Sequence, residues 1–358
     1  MKTLKRILKI LLIVIVILVI GFVGLIIYAI ASDYKPAEKE VIAKAEDPSV
    51  LEDSLSLTLL TWNIGYSGLD KDMDFFYDGG TKVITPEDKC LENLSEIEEF
   101  LKRNDTIDFI LLQEVDRNSK RSYHIDQYEN ISGMLSGYNP FFAKNYDVFF
   151  VPTPPAKPMG KVVSGIATYS EFKPESSTRY SLPGDFGFPT QLFYLDRCFM
   201  VNRYKIENGK ELVLINTHNE AFDEGGNIRK DQMETLKKFV LNEYNSGNYV
   251  IAGGDWNQYP PDFKPAFIRN KAFTGQIDNF NLVGIESDYM PVDWKWIYDP
   301  FTPSVRTVSA AYDVATTPTS VCDIFLISPN IESVSVKCQD LGFNNSDHNP
   351  VIIQVKLK

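Results

Sequence analysis

Residues 10–31 form a run of 22 residues without a charge, and this run constrains the chain before any other feature does. A helix rising ~1.5 Å per residue covers roughly 33 Å over that length, the thickness of a bilayer's hydrocarbon core. Lys2, Lys5, Arg6 and Lys9 precede the run, and Ser32-Asp33 follow it. The positive-inside rule therefore puts residues 1–9 in the cytoplasm and everything after residue 31 on the other side. A cleaved leader is the competing reading, because Ala29-Ile30-Ala31 has the small-x-small form of a cleavage site. Against it, the run is longer than the about 7–15 residues of a leader's apolar region. The expected organisation is a basic cytoplasmic terminus (1–9), a single-pass transmembrane anchor (10–31), a polar tether (32–56) and an extracytoplasmic domain (57–358).

Net charge is -12, and without the four basic residues at the start it is -16. Such an acidic body argues against a high-affinity nucleic-acid surface, which needs Lys and Arg to neutralise phosphates. It does not exclude a nuclease, because bound cations reverse the local field at an acidic site. The four cysteines include no C-x-x-C pair, so a zinc knuckle is not expected. The three histidines are His124, His218 and His348.

Along the chain, apolar strands repeatedly end in a polar group. Residues 57–62 lead to Asn63, and 108–112 lead to Gln113-Glu114. A pair at 198–204 and 212–216, joined by an Asn208-Gly209 turn, leads to Thr217-His218. Thr85-Pro86 opens a helix whose apolar face carries Cys90, Leu94, Ile97 and Leu101, and 229–244 is a second amphipathic helix. Residues 138–150 read as strand-turn-strand. Residues 321–328 and 331–338 read as a hairpin about Ser328-Pro329-Asn330, which would set Cys322 opposite Cys338, as a disulfide or as two buried thiols. His124 reads as a surface or structural residue.

Residues 250–252 lead to Gly253-Gly254-Asp255-Trp256-Asn257. Side chains two apart on an extended chain share a side, so Asp255 and Asn257 point the same way. A carboxylate acceptor beside an amide donor suits a water held next to a phosphate. Alone, such a pair after two glycines is more often a turn. Strands alternating with helices, with polar groups gathered at the strand ends, suggest an α/β sandwich with its site along one edge.

Trp62-Asn63, Gln113-Glu114, Thr217-His218, Gly254-Asp255-x-Asn257, Asp323-x-Phe325 and Ser346-Asp347-His348, in this order, resemble the endonuclease/exonuclease/phosphatase superfamily with its deoxyribonuclease I-like fold. The resemblance covers residues 57–358. It implies a four-layered α/β sandwich, two packed mixed sheets flanked by helices, here preceded by one transmembrane helix. It implies Asn63, Glu114 and Asp347 at a divalent metal, Mg²⁺ with Mn²⁺ or Ca²⁺ as alternatives. Oxygen donors of this kind suit Mg²⁺. It further implies Asp255 on the attacking water, Asn257 on a phosphate oxygen, and His348 on the scissile phosphate, held by Asp323. It implies His218 as the second imidazole, placed to stabilise the phosphate or to protonate the leaving group. Two positions depart from the family pattern. Val163 stands where many relatives have an aromatic or acidic residue, and Asn219 stands where many have Leu.

Substrate choice belongs to loops. The candidates are 66–84 with Tyr77, 185–193, and 288–300 with Trp294 and Trp296. The expected activity is metal-dependent hydrolysis of a phosphodiester on a lipid headgroup, sphingomyelin-like, or on a small molecule. An extracytoplasmic nuclease is the alternative, and a non-catalytic binding protein the minor one. No protein partner is implied beyond the membrane contact of the N-terminal helix.

Overall fold

The computed structural model describes all residues except Met1, Asp185, Phe222, Glu224 and 264–281. In chain order the elements are α1 (Lys2–Ser32), β1 (Lys39–Lys44), β2 (Val50–Leu51), β3 (Ser56–Asn63), α2 (Glu87–Arg103), β4 (Phe109–Asp116), α3 (Gln127–Met134), β5 (Asn139–Val151), β6 (Gly160–Ser170), β7 (Ser176–Ser181), β8 (Cys198–Ile206), β9 (Glu211–His218), α4 (Asn227–Asn245) and β10 (Tyr249–Asp255). The remaining strands are β11 (Gln258–Tyr259), β12 (Val283–Gly284), β13 (Lys295–Ile297), β14 (Val305–Arg306), β15 (Thr319–Ser320), β16 (Asp323–Ile327), β17 (Ile331–Cys338) and β18 (Val351–Leu357).

Two mixed sheets form the body. One has the order β1-β7-β8-β9-β10-β16-β13, with β2 added on β8, and the other β17-β18-β3-β4-β6-β5. Leu57, Leu59, Phe109 and Leu111 of one sheet pack against Leu212, Leu214, Ile251 and Phe325 of the other. Met233, Leu236 and Val240 of α4 cover the outer face of the first sheet. Leu94 and Ile97 of α2 and Ile131 of α3 cover the outer face of the second. The result is four layers, helix on sheet on sheet on helix, as expected. Full burial of each such aliphatic side chain is worth about 1.5–3 kcal/mol.

Each sheet holds one parallel pair joined through a helix, β3–α2–β4 and β9–α4–β10. A parallel pair puts both C-terminal ends at one edge of its sheet. That shared edge is where the polar strand-end residues collect.

Three local expectations are corrected. Residues 32–56 are not a free tether, since β1 pairs antiparallel with β7 and β2 pairs parallel with β8. β1 reads as polar because it is a short edge strand with half of its residues exposed and the rest half-buried. Residues 138–150 make no turn, and β5 runs unbroken across 13 residues, accommodating bulges against β6. The segments flanking Ser328-Pro329-Asn330 are not a hairpin: β16 pairs with β10 and β13 in one sheet, while β17 pairs with β18 in the other. Cys322 and Cys338 are therefore not cross-strand neighbours, and all four cysteines are free and buried.

α1 is a 31-residue helix whose apolar side chains are mostly exposed, with a mean hydropathy of 3.6 over its most apolar stretch. By length and composition it is able to cross a membrane.

Candidate active site

Strand register assembles the centre. Asp255, the last residue of β10, lies opposite His218 on β9 and opposite Asp323 on β16. The three side chains thus come from adjacent strands of one sheet. The facing sheet brings Asn63 from the end of β3, next to Gln113 on β4. Glu114 follows in a bulge of β4 against β6, with a left-handed φ of 54°. For a non-glycine residue that backbone is uncommon, and it turns the glutamate away from the ladder and to the cavity. Asp347 and His348 arrive on the turn before β18. Ser346 fastens that turn by donating from Oγ to the Asn63 carbonyl at 2.7 Å.

These groups meet at the floor of a cavity of about 420 Å³. Asn63 Nδ2 donates to Asp255 Oδ2 at 3.0 Å and to Glu114 Oε1 at 3.1 Å, so the amide ties the two carboxylates together. Its Oδ1 accepts from the Gly65 N–H at 3.0 Å. His348 Nδ1 is 2.8 Å from Asp323 Oδ2, and its Nε2 is 3.7 Å from Asp255 Oδ2. His218 Nε2 lies 3.5 Å from the same Asp255 oxygen. Asn257, at a φ of 50°, donates Nδ2 to the Asn219 carbonyl, leaving the second amide hydrogen for the cavity. The side chain of Asn219 accepts from Thr217 and does not line the cavity. The Asn219 departure therefore leaves the centre intact. Val163 also lies off the cavity wall, where Ser164 and Asn145 stand.

The two imidazoles are electrically different. Burial and the nearby Arg197 push His218 down to about 3, so it is neutral. Burial also opposes charge on His348, but Asp323, Asp255 and Asp347 outweigh it and hold its pKa well above the ordinary value. His348 is the imidazolium, and Asp323 fixes its orientation. Burial works to raise Asp255, yet the two imidazoles and the Asn63 amide bring it below the usual carboxylate range.

Asp255, Cys322, Asp323 and His348 present ligand-type atoms all within 4.8 Å of one another. The Asp323–His348 hydrogen bond already uses the atoms that would face an ion there. Glu114 and Asp347 fit a divalent cation better. Burial pushes Asp347 up to about 7, Glu114 adding to the rise against the pull of His348. Among the described residues no lysine lines the wall, and none of its three arginines makes an ion pair with Glu114 or Asp347. Arg121 makes a two-pronged pair with Asp116, Arg197 pairs with Glu220, and Arg306 donates to backbone carbonyls. His348 and Arg306 pull the other way but do not outweigh burial, and the remaining cost of charging this acid is what a cation would offset.

Of the expected substrate residues, Tyr77 lines the cavity. Trp294 and Trp296 do not. Trp294 is buried against Tyr244 of α4, and Trp296 packs edge-on to Trp256. Their indoles complete the core beneath α4. Asp185, in the second candidate loop, lies outside the described residues. His124 is at the surface, bonded to Asn118.

The sequence reading missed the arginines. Arg121 stacks 3.7 Å from the Tyr66 ring centroid, and Arg197 keeps a buried Nη1 with no partner. Arg121 sits in a stretch that reads as an ordinary polar loop. The one available signal for Arg197 was a basic residue directly opening an apolar strand, Arg197-Cys198-Phe199.

A buried Asp–His pair, a second imidazole, an amide-bridged set of carboxylates and a cavity of about 420 Å³ at the sheet edge fit a hydrolase of phosphate esters. The model for the Endonuclease/Exonuclease/phosphatase family matches residues 60–348, and the chain belongs to that family. Among solved structures, an endonuclease/exonuclease/phosphatase from Beutenbergia cavernae DSM 12333 is similar at 16% identity and a TM-score of 0.53, over 84% of this chain and 72% of that one. The human Nocturnin catalytic domain with bound sulfate is similar at 16% identity and 0.52, over 88% and 100%. D. rerio TDP2 complexed with single strand DNA product is similar at 14% and 0.50, over 84% and 98%. At these identities the likeness shows the fold. No curated protein matches the chain.

Proposed function

We propose that the chain is a divalent-metal-dependent phosphodiesterase, anchored by α1 with its N-terminus cytoplasmic and its catalytic domain extracytoplasmic. The observation that carries the reaction is the in-register row His218–Asp255–Asp323, with His348 bound to Asp323 and Glu114 tied to Asp255 through Asn63. A Mg²⁺ ion held by Glu114 and Asp347, with Asn63 beside it, would supply charge to a phosphate oxygen. Asp255 orients the attacking water and accepts its proton as the water oxygen bonds to phosphorus. The ester P–O bond breaks, and the imidazolium of His348 gives the leaving oxygen its proton, regaining one from Asp255 across 3.7 Å. Asn257 and neutral His218 donate hydrogen bonds to the phosphoryl oxygens.

Leu69, Phe75, Tyr146, Met159 and Tyr194 make the upper wall apolar, which supports a lipid or other partly apolar phosphodiester such as sphingomyelin over a nucleic acid. The nuclease reading rests on family membership and on the likeness to a DNA-bound structure.

The test is the full chain with Mg²⁺ against bis-p-nitrophenyl phosphate, sphingomyelin, phosphoinositides, plasmid DNA and RNA. Turnover of at least one diester is expected, lost in Asp255→Ala and His348→Ala. No turnover of any, or variants equal to wild type, refutes the enzyme reading. Recovery of a soluble chain beginning after Ala31 refutes the uncleaved anchor.

A further inference from the structure

α1 does not hang free of the catalytic domain. Tyr28 packs edge-on to Phe149 at the end of β5, with ring centroids 4.7 Å apart, and Ala29 is buried. Phe149 in turn meets Phe193, and α1 touches the turn Thr190–Phe193 as well as β5. The chain then has no slack. Tyr34 is fastened by Lys144, whose Nζ lies 3.8 Å from the ring centroid, and by Glu40, which accepts from its hydroxyl at 3.4 Å. β1 begins at Lys39. The two elements that receive α1 also form one lip of the cavity: Asn145 and Tyr146 come from β5, and Thr190 from the turn, with Phe186 and Tyr194 on either side of that turn.

Depth along α1 locates this lip. At ~1.5 Å per residue the helix advances about 28 Å from Lys9, the last charge, to Tyr28, close to the full apolar thickness of a bilayer. Tyr28 therefore sits at the outer interface, where tyrosine is favoured. Phe149 and Phe193 share that depth because they touch it or its partner ring. Phe188, two residues before the turn, is 64% exposed.

We propose that the face around the end of β5 and residues 186–193 rests on the outer surface of the bilayer, and that the catalytic cavity is loaded there with the phosphodiester headgroup of a membrane lipid. The proposal rests on the phosphoesterase reading above and adds the surface and the source of the substrate. The occupant is the bilayer that α1 itself spans. An aromatic lip packed on the spanning helix has no room to turn away from the membrane, and the mouth opens beside it.

The test uses the full chain in phosphatidylcholine–sphingomyelin vesicles. Phe188→Cys and Val334→Cys are each labelled with a fluorophore, the four native thiols being buried. Val334 is exposed on β17, at the opposite edge of the sheet that ends in β5, five strand spacings or ~24 Å away. Lipids carrying a quencher near the headgroup are expected to quench the label at 188 several-fold more than at 334. Equal quenching, or none at 188, overturns the docking. A second arm inserts a long Gly/Ser segment after Ser32, which removes the fixed seating and leaves only tethering. Hydrolysis of vesicle lipid is expected to fall roughly tenfold while hydrolysis of soluble bis-p-nitrophenyl phosphate stays unchanged. If the soluble diester is cut but lipid hydrolysis is absent or indifferent to the insertion, or if only DNA is cut, this proposal fails and the phosphoesterase reading stands. If no diester is cut yet the label at 188 is quenched, the seating stands and the catalytic reading fails.

Discussion

Replacing Asp347 by Asn should stabilise the metal-free protein at neutral pH while removing its response to a divalent cation. The carboxyl is buried and pushed up to about 7, from 3.8 in water. Between those two values the unfolded chain releases a proton that the native state keeps. Native stability must therefore fall as pH rises through that window and level off above about 7. A shift of about three units at 1.36 kcal/mol each sets a ceiling of ~4 kcal/mol. Unfolding entropy of ~2.1 cal/mol/K per residue over the roughly 320 residues outside α1 amounts to ~0.7 kcal/mol/K, so the ceiling corresponds to about 6 °C in Tm. The assay is thermal unfolding of the full chain in detergent with a chelator, from pH 4 to pH 8. Wild type and Asp347→Asn are expected to coincide at pH 4 and to diverge above it, the variant melting several degrees higher at pH 8. Millimolar Mg²⁺ should then raise the wild-type Tm at pH 8 by mass action and move the variant little. A variant that is less stable than wild type at pH 8, or a gap between the two that does not change with pH, refutes the claim that burial outweighs the pull of His348 and Arg306 on this acid.

Asp323→Asn should fold normally but lose roughly 10²–10⁴-fold in kcat, because the His348 imidazolium loses the carboxylate that orients it; steady-state kinetics with a chromogenic diester measures this. Arg197→Ala should raise KM by about tenfold or more, the size of one charge-assisted hydrogen bond, if its unpartnered Nη1 meets the substrate phosphate; an unchanged KM dismisses that role. Asp116→Ala strands the buried Arg121 and should cost about 3–5 kcal/mol, read as a lower denaturation midpoint, whereas a solvent-facing pair would cost little. None of the four thiols should react with a thiol reagent in the native state, since burial pushes Cys90 and Cys198 up to about 11 and Cys322 and Cys338 well above the ordinary thiol value; all four should react on unfolding.

What was legible in the sequence was local. An apolar strand ending in a polar group is visible residue by residue, so Asn63, Glu114, His218 and Asp255 could be read directly. The helical faces of α2 and α4 were legible for the same reason, being set by spacing alone. Pairing was not legible. β1 joins β7 across more than a hundred residues, and its alternating Lys39, Glu40 and Val41 carry no mark of their partner. The turn at Ser328-Pro329-Asn330 has hairpin chemistry, but β16 is buried throughout and finds both its neighbours in the other sheet. Trp294 and Trp296 were misplaced because an indole looks the same in sequence whether it packs under α4 or faces a ligand. Arg121 and Arg197 escaped notice because a charge is read as solvated unless its buried partner, here Asp116 or Glu220, is known.

The two glycines before Asp255 carry the final step from pattern to site. A glycine in a strand lets a ligand or a neighbouring backbone approach closely. In the fold they make room for neighbouring protein. A Cβ on Gly254 would lie 1.9 Å from the Thr217 carbonyl oxygen, and one on Gly253 would lie 2.3 Å from the Phe325 ring. Thr217 precedes His218, and Phe325 stands two residues after Asp323. The strands that press on the glycines are thus the ones that deliver His218 and Asp323 to either side of Asp255. Any side chain at 254 would force β10 off the backbone of β9, and a shift of one residue would turn Asp255 to the opposite face of the sheet. The glycines therefore act on register, and register is what places an imidazole and a second carboxylate on either side of Asp255. The chemistry of the Gly-Asp-x-Asn pattern follows from close packing between strands before it follows from any property of the aspartate.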